Sequence, residues 1–113
     1  MDKIINVAAY ITNKYREMTD ESLDEMKLHK LLYFTQRESI AITGIPAIDG
    51  VFEGWRFGPV CREVREAFYN GEIIVPTEDI SDELQYIANN VICEYGALET
   101  WKLSELSHRD ISW

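Results

Sequence analysis

The side chains able to do chemistry in this 113-residue chain are few: His29 and His108, Cys61 and Cys93, and a surplus of carboxylates. Neither histidine has a second metal ligand at helical or zinc-finger spacing, so no metal site is expected. His29 lies between Leu28 and Lys30 inside an apolar-periodic segment and reads as a structural or surface residue on an exposed or boundary face. His108 follows Ser107 and precedes Asp110, which are the residue types of a hydrolytic triad. Close neighbours in sequence seldom point at one another, however, and triads are assembled across space. Cys61 stands beside Arg62 and close to Arg65 at a predicted helix start, where a thiolate could be stabilised. A packed, inert cysteine is the simpler reading. The phosphate-cradling patterns GxxxxGK[ST] and GxGxxG do not occur. Gly50, Gly54 and Gly58 recur every four residues in a strand-and-turn setting and read as backbone bends. No enzyme, cofactor or metal chemistry is expected.

Charge says more. Twenty acids against eleven bases give a net charge of −9, which disfavours a non-specific nucleic-acid binder, since such binding needs cations against phosphates. Residues 1–71 are nearly balanced at −2, whereas residues 72–113 carry −7 with only Lys102 and Arg109 as bases. Between Arg65 and Lys102 there is no basic residue. Within that stretch Glu78, Asp79, Asp82, Glu83 and Glu94 are the candidate partner-binding residues. Two readings stand side by side: a solvated acidic face, or a docking surface for a basic protein.

The elements that must position these residues follow from periodicity. Ile4, Ala8, Ile11, Tyr15 and Met18 form one apolar stripe, predicting a helix from about Asp2 to Met18. Ser22-Leu23-Asp24-Glu25 matches a capping box, with Ser22 as the cap of a second helix that runs to about Thr43 and stops at Gly44. Its inward residues are Leu28, Leu31, Leu32 and Thr35. From Ile45 to Phe57 the period changes, and Asp49-Gly50 with alternating Val51, Glu53, Trp55 and Phe57 predicts a short strand or hairpin. Trp55 is expected to be buried there. Gly58-Pro59 reads as the start of a third helix ending at Asn70-Gly71, and Ile73-Ile74-Val75 as a brief β run. Ser81 caps a fourth helix whose core stripe is Leu84, Ile87, Ala88, Val91, Ile92 and Tyr95. A fifth helix, about Leu98 to Ser107, would bury Trp101, Leu103 or Leu106. The fold expected is mainly α. It is one compact domain over residues 1–113, of about five helices with a small β-hairpin or short sheet around residues 45–57 and 73–75. With no spanning apolar run, no signal-peptide pattern and only two scattered cysteines, a reduced, soluble, cytoplasmic protein is expected.

Three blocks carry a family resemblance. Met26-Lys27-Leu28-His29-Lys30-Leu31-Leu32-Tyr33-Phe34 resembles the KLxKLLYF signature of the Panacea antitoxin domain, also described as phage-associated GepA-like or SocA-like proteins. Phe52-Glu53-Gly54-Trp55-Arg56-Phe57-Gly58-Pro59-Val60 resembles its FEAWxYGPV block. Leu103-Ser104-Glu105-Leu106-Ser107-His108, with Trp113, resembles its LSxLTHxxxPW block. Ser112 departs from the proline usual there, and family members usually continue through another helix, which this domain would lack.

Leu28, Lys30, Leu31, Tyr33, Trp55, Gly58, Pro59, Leu106, His108 and Trp113 are the signature residues, and a structural role suits them. Leu28, Leu31 and Leu32 make a core stripe with Lys27 and Lys30 on an exposed flank. Leu106 and Trp113 would pack back on the Gly-Pro elbow, with the His108 imidazole hydrogen-bonding a backbone carbonyl. The resemblance implies a non-enzymatic antitoxin of a toxin–antitoxin pair or prophage, neutralising a cognate toxin by binding it. The alternative is an acidic phage accessory protein that mimics nucleic acid to block a basic host protein. Neither membrane nor nucleic acid is an expected partner, and homo-oligomerisation stays open.

Overall fold

The computed structural model describes residues 1–55, 58–73 and 79–96, with Trp55 described by its backbone alone. The first helix, α1 (Ile4–Thr19), buries Ile4, Val7, Ala8, Ile11 and Tyr15 along one face. The stripe ends at Tyr15: Met18, expected inward, is exposed. Asp20 closes the helix in a left-handed conformation, φ 59°, with its N–H donating to the Arg16 carbonyl at 2.8 Å.

The second helix, α2 (Glu25–Thr43), is capped by Asp24, not by Ser22. The Asp24 carboxylate accepts the Lys27 N–H at 2.8 Å. The reason lies in Leu23, which is buried and therefore holds the chain extended past Ser22. Leu23 and Leu28 occupy the two positions of a hydrophobic staple around an Asp24 cap, and both belong to the core. Asp24→Ala should therefore cost about 0.5–2 kcal/mol in urea melts, while Ser22→Ala stays within about 0.5 kcal/mol of wild type. The C-terminus ends at Gly44, φ 80°, as its position after the periodic run predicts.

Residues 45–60 form two small sheets rather than one hairpin over 45–57. β1 (Asp2–Lys3) and β2 (Ile48–Asp49) pair in parallel, whereas β3 (Glu53–Trp55) and β4 (Gly58–Val60) pair antiparallel, with Trp55 opposite Gly58. Gly58-Pro59 is thus part of a strand and not the start of a helix. Gly58 has φ 121°, a conformation that residues with a side chain rarely adopt. Pro59 tolerates its place because a two-stranded ribbon has free edges that demand no N–H. The next helix, α3 (Arg62–Tyr69), begins only after Cys61 and buries Val64 and Ala67, with Phe68 half-buried. Ile73 is buried without joining a strand; Ile74 and Val75, the rest of the expected β run, lie outside the described residues.

The last described helix, α4 (Asp82–Tyr95), matches the expected stripe and cap. Leu84, Ile87, Ala88, Val91 and Ile92 are buried, and the Ser81 hydroxyl accepts the Leu84 N–H at 3.3 Å. The expected fifth helix, Leu98 to Ser107, falls outside the described residues. The fold is mainly α, with four helices among those residues instead of about five.

The core forms around α2, which packs against α1, α3, α4 and the β3–β4 ribbon. From Leu28 to Leu32 every residue of this helix is buried, so that stretch has no wet flank. His29 and Lys30, expected on exposed or boundary faces, are each only 1% exposed. Two polar clamps fix the surround. The Gln36 side chain accepts the N–H groups of Ala47 and Ile48 at 3.0 Å each and donates to the Ile48 carbonyl at 2.9 Å, tying α2 to β2. Tyr10 donates to Asn89 at 2.7 Å, tying α1 to α4.

Candidate functional site

A polar cluster joins the start of α2 to the start of α3. His29 Nε2 lies 2.8 Å from Glu25 Oε2, one helical turn back. The other ring nitrogen, Nδ1, accepts the Cys61 backbone N–H at 3.4 Å. An amide N–H can only donate, so the proton sits on Nε2 and is given to the Glu25 carboxylate. Arg65 completes the cluster, its NH1 donating to Glu25 Oε2 at 3.1 Å. Burial lowers the His29 pKa from its usual value; the Glu25 hydrogen bond and charge oppose this, while Lys30 and Arg65 add to the lowering. The imidazole is therefore neutral near pH 7, with both nitrogens engaged and no face open to a substrate. Its function is to tie α2 to the segment carrying Gly58, Pro59 and Cys61. The sequence signal for it was the Glu25–His29 spacing of four on a helix, which sets two polar groups on one face. Cys61 is 2% exposed and packed in the core, as the inert reading expected. Cys93 is exposed and free.

The acidic residues divide. Asp79, Asp82 and Glu83 are exposed together around the start of α4, while Glu94 is exposed in its last turn, about 17 Å further along at 1.5 Å per residue. Glu78 lies outside the described residues. The first-turn acids complement the partial positive charge of the helix start, which accounts for Asp82 and Glu83 only by a few tenths of a kcal/mol each. Next to them, a groove of about 460 Å³ opens between the end of α2, the segment 45–47 and the first turns of α4. Residue spacing alone gave no sign of this groove, because it needs α2 and α4 side by side.

Of the signature residues, Leu28 and Leu31 are fully buried and Lys30 nearly so. Tyr33 is half-buried, edge-on to Phe34 at 5.6 Å and to Phe52 at 6.0 Å. Trp55 and Gly58 face each other in the β3–β4 register, beside Pro59. Leu106, His108 and Trp113, together with the Ser107–His108–Asp110 run, lie outside the described residues. Among the described residues no three His, Cys, Asp or Glu side chains gather as a metal site requires, and no helix is long and apolar enough to cross a membrane.

A helical domain whose first two signature blocks meet at its core is the frame on which the family comparison rests. The chain belongs to the family described as Antitoxin SocA-like, Panacea domain, which matches residues 28–113. Among curated proteins it is similar to "Antitoxin SocA" of Caulobacter vibrioides (strain NA1000 / CB15N), 39% identical over 49 residues. That match takes in 43% of this chain and 26% of the relative, so the chain spans about a quarter of that protein's length. No solved structure matches it.

Proposed function

We propose that the chain is a non-enzymatic, cytoplasmic antitoxin of a toxin–antitoxin system or prophage, neutralising a cognate toxin by binding it directly. The observation that carries this is the family match over residues 28–113. The acidic second half supports a basic toxin, with Glu78, Asp79, Asp82, Glu83 and Glu94 as the surface it approaches. Three of these acids cluster at one end of α4, which favours a localised contact over the evenly repeated charges of a nucleic-acid mimic. Complementary charge mainly speeds encounter, while buried apolar groups hold the complex. Co-expression with the product of the adjoining gene should give a co-purifying complex and relieve any growth arrest which that product causes alone. Reversing Glu78, Asp79, Asp82 and Glu83 to Lys should slow association by roughly 10–100-fold at low salt and leave the far-UV circular dichroism unchanged. An association rate indifferent to both salt and reversal rejects the docking role of the acids; absence of any complex rejects direct neutralisation.

A further inference from the structure

The groove beside the acids differs from the rest of the acidic face in having an apolar interior. Ile45, Pro46, Leu84 and Ile87 line it, Asp2 and Glu83 stand in its wall, and among the described residues no Lys or Arg contributes to it. Ile45 is 66% exposed, an aliphatic side chain presented to water at the mouth of a concave site. Such an exposed anchor beside a cavity is what protein partners bury, while a ring of like charge selects which partner can approach. We propose that this groove receives an apolar anchor side chain of the toxin, flanked by lysine or arginine residues that pair with Asp2, Asp79, Asp82 and Glu83. The inference rests on the direct-binding reading above and adds to it the place and chemistry of the contact. Charge complementarity decides the occupant: a second copy of a chain at −9 would bring net negative charge to a negative rim.

The test measures binding of the co-purifying toxin to wild type, Ile45→Ser, Glu83→Lys and Val51→Ser by surface plasmon resonance at 50 and 300 mM salt. Ile45 and Val51 are both largely exposed, so neither substitution removes core packing, and Val51 lies away from this groove. Ile45→Ser should raise the dissociation rate about tenfold at both salt concentrations. Glu83→Lys should lower the association rate about tenfold at 50 mM and much less at 300 mM. Val51→Ser should change neither. A complex that forms normally with Ile45→Ser kinetics equal to wild type overturns the groove while leaving direct binding standing. Absence of any complex overturns both. Conversion of a wild-type dimer to a monomer by Ile45→Ser, seen by sedimentation of the chain alone, overturns the toxin anchor in favour of a self-interface.

Discussion

Lys30→Met is expected to raise stability by about 1–3 kcal/mol at pH 7. Lys30 is 1% exposed in the second turn of α2, and its burial lowers the ammonium pKa from 10.5 to about 8. A lysine whose folded pKa is depressed adds stability only above the unfolded value, and that stability is lost as pH falls through the folded value. At pH 7 the folded protein therefore holds a desolvated charge that the unfolded chain keeps in water. The shift corresponds to roughly 3 kcal/mol at about 1.4 kcal/mol per unit. Lys30 also makes a contact of its own, which the substitution removes, and this sets the lower end of the range. Methionine is close in length and leaves the packing largely filled. Urea melts should show wild type gaining on the variant as pH rises from about 8 to 10.5. A variant less stable than wild type at pH 7, or a gap independent of pH over that window, would contradict the assignment.

Phe34→Ala is expected to cost about 3–5 kcal/mol. The ring is fully buried, stacked on Tyr95 at a centroid distance of 4.5 Å, with the Arg37 guanidinium 4.5 Å above it. Arg37 also donates to the Tyr95 hydroxyl at 2.9 Å, so a single cavity would loosen both the ring stack and the cation above it. Phe34→Leu should cost far less, since most of the volume remains. In the Tyr95→Leu background the Phe34→Ala penalty should shrink by about 0.5–1.5 kcal/mol, the part that belongs to the pair. Equal penalties in both backgrounds would mean that the stack contributes area alone.

Periodicity made α1 and α4 legible because each shows the core one stripe, and a stripe is what a 3.6-residue repeat reports. In α2 the same repeat found Leu28, Leu31, Leu32 and Thr35 but not His29 and Lys30. His29 meets the Cys61 backbone, and α2 packs against β4 and α3, segments from later in the chain that leave no mark on the local pattern. Gly58-Pro59 misled for a related reason. Proline suits a first helical turn and a free strand edge equally well, and the choice was made by Glu53–Trp55 pairing alongside. Ser22 had the right chemistry for a cap, and it lost to Asp24 through the burial of Leu23. Of the candidate surface, the acids were plain in the sequence, whereas the groove was not, being formed by three separate segments.

The occupied interior around α2 separates two kinds of inheritance in this domain. Leu28, Lys30, Leu31, Leu32 and Phe34 of the KLxKLLYF block are at most 1% exposed, so a docked protein meets none of these five, and Tyr33 is half-buried. Ile45, Asp79, Asp82 and Glu83 belong to no signature block and face water. Mutation can therefore redraw the outer face without disturbing the residues that hold the chain together, and drift inside need not alter what the outside recognises. A scaffold divided in this way can change its outer surface while remaining visibly kin to its relatives.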